Sequence, residues 1–297
     1  MRASKAPGGN KLEYADVEIL EAAYPLLFEK RHVTTGVHGY GRFRSGMGLE
    51  ESFQAHGTDS LVGNMTGTRA WFPTGGSAGG MPGATVRFSV RRANGQVDPV
   101  GIHAVGVALA RGDAFQMSCA SGGGFGDPLD RDTAGIRRDL DDARLDPAIA
   151  SEVYGIVFAT GNEIDLVATK RERERVRRDR LDRAVPAARP VDLRTIERAD
   201  SKEPEYPLYS GVIQRGQLAV SERSGAVLAV APGNWLDGCP TMDVPIAQRA
   251  VTVVGRYHLD PLTGRALYVD VIRPEDGPSI ELRPDRWMHA STTIEHA

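Results

Sequence analysis

Glycine placement constrains this chain more than any other feature of its 297 residues. There are 34 glycines, and they cluster at 36–48, at 67–83 and above all in Ser121-Gly122-Gly123-Gly124-Phe125-Gly126-Asp127-Pro128. Glycine lacks a Cβ and visits backbone conformations closed to other residues, so such clusters mark tight turns, bulges and places where two backbones approach closely. A glycine run leading into a helix can instead cradle phosphate with its N–H groups. No Lys-Ser or Lys-Thr follows the run here, and no strand–helix dinucleotide pattern surrounds it. Close backbone packing followed by an Asp-Pro helix start is the expected use.

The rest of the chain reads as alternating short β pieces and a few helices. Residues 1–10 hold the breakers Ala6-Pro7-Gly8-Gly9-Asn10 and read as a loose arm. Residues 17–24 have helical spacing and stop at Pro25. From Phe28 to about Met117 the pattern is β-like, with 85–90 alternating apolar and polar and 104–109 more continuously apolar. After Gly126 it turns helical. Asp132 stands where a cap for 133–143 belongs, and Asp146-Pro147 opens a second helix that Gly155 closes. Residues 156–159 read as a short buried strand, and Asp165 starts a third helix.

That third helix runs into Lys170-Arg171-Glu172-Arg173-Glu174-Arg175-Val176-Arg177-Arg178-Asp179-Arg180. The interleaved carboxylates favour a solvated helix with ion pairs along its surface over a binding face for RNA or an acidic partner. A Pro- and charge-rich linker over 185–205 follows. A β-rich unit begins at Tyr206, with strands expected at 217–220, 226–230, 250–254 and 266–272 and a turn at Pro261-Leu262-Thr263-Gly264.

Little in this pattern carries chemistry of its own. The net charge is −3 and charged residues make up 25% of the chain, which argues against a nucleic-acid or anionic-membrane surface for the whole molecule. No apolar run approaches the roughly 18 residues of a membrane span, and no signal peptide opens the chain. Cys119 and Cys239 are too few for a disulfide framework or a metal cage and read as reduced thiols in a cytosolic protein. His32, His38, His56, His103, His258, His289 and His296 form no helical metal-binding pair. His32 and His38 could approach across a turn. Cys239, in Asp237-Gly238-Cys239-Pro240, lacks a neighbouring base and is expected to be inert.

Three blocks together resemble the C-terminal half of the hydantoinase B/oxoprolinase family over about residues 11–183. The first runs from Glu18-Ile19-Leu20-Glu21-Ala22-Ala23-Tyr24-Pro25 to Gly39-Tyr40-Gly41-Arg42-Phe43-Arg44-Ser45-Gly46-Met47-Gly48, with Ser45 where the family usually has glycine. The second is Gly67-Thr68-Arg69 to Gly75, Gly79-Gly80 and Gly83. The third is Gly122-Gly123-Gly124-Phe125-Gly126-Asp127-Pro128-Leu129-Asp130-Arg131-Asp132 and then Val153-Tyr154-Gly155-Ile156-Val157. In the tail, residues 224–235 and 267–271 resemble a segment and the closing strand of the acetone carboxylase gamma subunit. The cysteines that flank those segments in that family are replaced here, which implies a zinc-free relative.

The resemblance implies an α+β fold: a β-rich glycine-loop domain with a few helices over 1–168, a charged helix and linker over 169–205, and a small β-rich domain over 206–297. It implies a cytoplasmic subunit of an ATP-dependent, multi-subunit carboxylase acting on a ketone-type substrate, in a structural or half-site role and inactive alone. Cyclic-amide hydrolysis (hydantoin, oxoproline or lactam) and pure scaffolding are the alternatives. The implied partners are a hydantoinase A-like ATP-binding subunit and a chain supplying the hydantoinase B front half, with no nucleic acid and no membrane. ATP and a divalent metal are expected on those partners, and neither a cofactor nor a metal is expected on this chain. No catalytic residue can be assigned to it. Phe28, Val33, Tyr40, Phe43, Met47, Leu49, Trp71 and Phe72 are expected to supply part of a partner-facing surface.

Overall fold

A computed structural model describes residues 15–36, 38–191, 205–248 and 251–284. The expected arm at 1–10, His289 and His296 lie outside these residues. The fold is α+β, with four α-helices and several antiparallel sheets among the described residues. The chain groups into two compact units, both discontinuous in sequence. The first collects residues up to Thr34, Gly48–Ala70 and Val86–Ala120, and the second collects Thr35–Met47, Trp71–Thr85 and the chain from Ser121 onward. These units cut across the sequential segments 1–168, 169–205 and 206–297.

In the first unit, helix α1 (Val17–Ala23) precedes β1 (Leu26–Val33), β2 (Leu49–Ala55), β3 (Ser60–Thr66), β4 (Arg87–Arg91), β5 (Val97–Val100), β6 (His103–Ala110) and β7 (Ala114–Ser118). Five of these strands form an antiparallel sheet in the order β1-β2-β7-β4-β5, and β3 pairs with β6 in a separate ribbon. The expected alternation over 85–90 is real: in β4, Phe88 and Val90 are buried while their neighbours are not. Register sets Phe28 opposite Phe53, Phe53 opposite Phe115 and Phe115 opposite Val90. The Phe28–Phe53, Phe53–Phe115 and Phe88–Phe115 rings lie 5.3–5.7 Å apart by centroid, a geometry that adds to burial alone. Leu61, Met65, Val107 and Leu109 from the ribbon pack into the same cluster.

In the second unit, α2 (Thr133–Asp141), α3 (Pro147–Tyr154) and α4 (Leu166–Arg183) precede β8 (Glu205–Tyr209), β9 (Val212–Arg215), β10 (Leu218–Ser221), β11 (Val227–Val230), β12 (Thr241–Gln248), β13 (Thr252–Leu259) and β14 (Ala266–Ile272). Aspartates cap all three helices as the sequence requires. Asp132 accepts from Ala134 N, Asp146 from Ala148 N and Asp165 from Ala168 N. Gly155 closes α3 in the left-handed conformation. The strands form a four-stranded sheet, β11-β10-β9-β8, and a three-stranded one, β12-β13-β14. Trp235, fully buried, centres one cluster with Leu228, Leu236 and Leu267. Tyr154 and Ile136 centre a second.

Two sequence expectations fail here. Residues 156–159 form no strand. Instead the segment folds on itself, with Ala159 N bonded to Glu163 O, Asp165 N bonded to Val157 O and only an isolated Phe158–Ile164 bridge. Leu49, expected on a partner-facing surface, is 7% exposed. Of the other residues expected there, Phe43, Trp71 and Phe72 are exposed, and Phe28, Val33, Tyr40 and Met47 are partly covered. The expected linker is also pinned at its start: Val185 exchanges two backbone hydrogen bonds with Thr241, and Arg189 N bonds Asp237 O. Residues 192–204 of it lie outside the described residues.

Candidate functional site

Two glycine-bearing segments of the second unit, 39–43 and 75–83, converge on residues 121–126. Gly39 N donates to Gly122 O, Gly124 N to Met81 O and Met81 N to Tyr40 O, while Ser77 N donates to Gly124 O and Gly126 N returns to Ser77 O. Phe43 and Phe125 exchange both backbone bonds at 2.9 Å. The approach is so close that side chains have no room. A Cβ on Gly124 would sit 2.1 Å from Tyr40 O, and one on Gly123 would sit 2.1 Å from Gly75 O. Gly126 turns out of the knot with φ +78°. The N–H groups of Gly124, Phe125 and Gly126 all donate to protein carbonyls, so they are committed to packing.

The two carboxylates that follow the knot gather the rest of the unit. Asp127, fully buried, accepts from Leu129 N at 2.9 Å, Ala266 N at 2.9 Å and Arg180 Nη1 at 2.8 Å. Burial alone would raise its pKa, but Arg180 and the two N–H groups outweigh that and hold it below the usual carboxylate range. Asp130 accepts from Arg177 at 2.6 Å, Arg223 at 3.0 Å and Arg265 at 2.6 Å. The motif thus ties together α4, the turn after β10 and the start of β14.

This corrects the reading of the basic run as a solvated helix. Its surface does carry the ion pairs Glu172–Arg175 and Asp179–Arg183. Its inner stripe, however, is Thr169, Arg173, Arg177 and Arg180, residues that share one helix face. Thr169 is buried and receives Val157 N, Arg173 donates to Tyr154 O, and Arg180 is 11% exposed. The helix buries charge on the face that ordinarily buries leucine, because Asp127 and Asp130 neutralise it. The turn at Gly264 fits under the helix only without a side chain: a Cβ there would lie 2.1 Å from Arg177 O.

A second buried carboxylate, Asp139, takes both ends of the Arg44 guanidinium at 2.8 and 3.1 Å and also pairs with Arg131. Burial opposes its charge, and the hydrogen bonds from Arg44 with the charge of Arg131 lower its pKa nevertheless. Arg131 also donates to Tyr154 Oη at 3.0 Å. His38 is 3% exposed beside this pair; burial, then Arg44 and Arg131, push its pKa down to about 4. His258 is likewise buried and pushed down to about 4, chiefly by burial. His32 is exposed in the first unit and lies 3.6 Å from Glu50. Cys239 is 1% exposed, and burial pushes its thiol well up, so it is a core residue without thiolate character.

Two open hollows flank the knot. One, of about 520 Å³, is lined by Arg42, Phe125, Asp130, Glu222, Arg223 and Arg265 among others. The other, of about 490 Å³, is lined by Arg42, Phe43 and Arg44 with α2 residues including Arg138 and Asp139. Among the described residues no group of three His, Cys, Asp or Glu side chains is placed to hold a metal ion. What the arrangement offers chemically is fixed guanidinium groups and two exposed aromatic rings. Sequence reading took Arg173, Arg177 and Arg180 only as part of a solvated run and passed over Arg223 and Arg265. The spacing 173–177–180, set against two aspartates in one short motif, was the available signal for the first three.

Comparison with known proteins gives this geometry its context. Residues 7–128 match the family model for hydantoinase B/oxoprolinase. The chain is homologous to the acetone carboxylase alpha subunit of Xanthobacter autotrophicus, 27% identical over 216 residues, covering 59% of this chain and 27% of that protein. It is also homologous to the caprolactamase subunit beta of Pseudomonas jessenii, 30% identical over 164 residues, covering 53% of this chain and 28% of that protein. Among solved structures, the nucleotide-free structure of acetone carboxylase, from work on ATP-dependent acetone carboxylation, superposes with a TM-score of 0.50 at 25% identity, covering 59% of this chain and 28% of that one. The chain therefore spans little more than a quarter of the length of the relatives it matches. Among the described residues no helix is long and apolar enough to cross a membrane.

Proposed function

From the homology of residues 7–128 to the hydantoinase B/oxoprolinase family, we propose that this chain is a subunit of a cytoplasmic, ATP-dependent, multi-subunit carboxylase acting on a ketone-type substrate. The observation that carries the reading is the likeness to the acetone carboxylase alpha subunit over 59% of the chain, in sequence and in fold. The chain's own part is structural or half-site. The glycine knot supports this, since the N–H groups of Gly124, Phe125 and Gly126 donate to protein carbonyls. So do the buried carboxylates, which are occupied by arginines. ATP and the divalent metal then belong to partners: a hydantoinase A-like ATP-binding subunit and a chain with the hydantoinase B front half. The tail extends the proposal as a zinc-free counterpart of the gamma subunit. Elemental analysis showing one tightly held zinc per chain would remove that part.

A second reading is favoured by the caprolactamase match, whose identity is slightly higher over a shorter segment. In it the same subunit serves cyclic-amide hydrolysis. One experiment addresses both. The chain is co-expressed with the hydantoinase A-like and front-half chains, the complex is purified, and ATP hydrolysis is followed with acetone or acetophenone plus bicarbonate, and separately with a lactam or hydantoin. Ketone- and bicarbonate-dependent ATP turnover by the complex, absent from the isolated chain, is the expected result. Turnover stimulated only by the cyclic amide would replace the carboxylase reading with the hydrolase one. Full activity of the isolated chain would end both.

A further inference from the structure

The exposed pair Phe43–Phe125 is built in a way that ordinary surface residues are not. The two residues are locked by a reciprocal pair of backbone hydrogen bonds, 2.9 Å each, on the glycine knot. Their rings lie 6.3 Å apart, 60% and 44% exposed as whole residues. Aromatic side chains on a fixed backbone have only two rotatable bonds to immobilise on binding, so they give large contact area at low entropic cost. The Arg42 guanidinium sits 5.3 Å from the Phe43 ring centroid and lines both neighbouring hollows.

The charge around the pair leans positive. Together the two hollows are lined by seven arginines, Arg42 shared by both, against five carboxylates, an excess of two positive charges. Two of these arginines, Arg42 and Arg138, have no carboxylate partner among the described residues. This local excess stands on a chain whose net charge is −3, so it is a property of the patch. We propose that the Phe43–Phe125 ledge with its arginine rim is the docking surface for an acidic segment of a partner subunit, whose apolar side chain packs on the rings while its carboxylates enter the flanking hollows. A second copy of this chain is a poor occupant, because a two-fold contact would set the same arginines against each other. The proposal rests on the subunit reading above.

The test uses the full chain and two short fluorescent peptides, one alternating leucine with glutamate and the other leucine with lysine, read by polarisation. The acidic peptide is expected to bind with an affinity that falls as salt rises, and the basic one to bind at least about tenfold more weakly. The double variant Phe43→Ser/Phe125→Ser should weaken the acidic peptide about tenfold or more, and Arg42→Gln/Arg138→Gln should weaken it and flatten its salt dependence. Val105→Ser, an exposed apolar change in the first unit, should leave it unaltered. Equal binding of both peptides, binding unmoved by the Phe43 and Phe125 changes, or self-association of the chain abolished by those changes would overturn the proposal. A photo-crosslinking residue at position 43 separates it from the subunit reading. Intact assembly with the hydantoinase A-like and front-half chains, with no crosslink from position 43, would sink the docking surface and leave that reading in place. Acidic-peptide binding by a chain that assembles with neither would do the reverse.

Discussion

The phenylalanine core of the first unit and the glycine knot of the second solve the same problem, holding distant segments together, by opposite means. In the first, side chains do the packing: Phe53, Phe88 and Phe115 meet across three strands, and the residues around them can shift. In the second, backbone packs on backbone: a Cβ on Gly124 would meet Tyr40 O, which already accepts from Met81 N. Side-chain packing degrades by increments, because neighbours partly relax around each lost or altered group. Backbone packing of this kind has no intermediate setting.

That contrast can be broken most sharply at Gly124. Gly124→Val should abolish folding of the second unit, a loss above about 5 kcal/mol. Gly124→Ala should do nearly as much, since the Cβ itself meets Tyr40 O at 2.1 Å. Tryptophan fluorescence during urea unfolding reads this, because Trp71 and Trp235, two of the three tryptophans, belong to the second unit. A Gly124→Ala protein with an unchanged fluorescence transition would refute the backbone-packing account. In the first unit, Phe115→Ala should cost about 3–5 kcal/mol but Phe115→Leu much less, the graded response of a side-chain core, read by far-UV circular dichroism. Equal losses from the two would erase the distinction between the units.

The ionic stripe of α4 falls next. Arg180→Met leaves Asp127 buried without its cation and should cost about 3–5 kcal/mol at neutral pH. Asp127 is held below the usual carboxylate range, so its contribution is present above the unfolded value near 4 and is lost as pH falls through the lower folded value. The Arg180→Met penalty should therefore shrink at strongly acidic pH, and a penalty independent of pH would contradict the pairing. The buried histidines act over a different window. His38 and His258 bind a proton only near pH 4 when folded but near 6.5 when unfolded, so stability is full above about 6.5 and declines toward pH 4. Each can account for up to about 3 kcal/mol of that decline. His258→Phe should flatten the stability–pH curve between these limits. The smallest effect belongs to Gly46, around which nothing lies within 4 Å: Gly46→Ala should change stability by no more than about 0.5 kcal/mol.

Much of the local structure was legible because its causes are local. Asp132, Asp146 and Asp165 cap their helices through their own next few residues, Gly155 closes α3, and Gly264 turns before β14. The glycine clusters announced close backbone approach, and the structure uses them that way. The strand expected over 156–159 failed because an apolar run becomes a strand only when it pairs with another, and this segment folds on itself. Leu49 failed similarly. It looks like any apolar residue near a glycine cluster, and only β2 and its neighbours decide that it is covered.

The candidate site shows where sequence stops and tertiary structure begins. By itself the sequence determined the helix caps, the glycine turns and the likeness of residues 7–128 to a known family, because each is written in contiguous residues. It held Asp127, Asp130, Arg173, Arg177 and Arg180 in plain view, yet their meaning depended on partners 47 to 53 residues away for Arg177–Asp130 and Arg180–Asp127, and 135 away for Arg265–Asp130. A run of arginines and glutamates on a helix is stable either in water or against buried carboxylates. Which of these obtains is set by whether the fold brings carboxylates to that face, and only the folded chain brings Asp127 and Asp130 there. The same holds for Phe43 and Phe125, 82 positions apart in sequence, which become one aromatic ledge solely because the glycines between and beside them let their backbones touch.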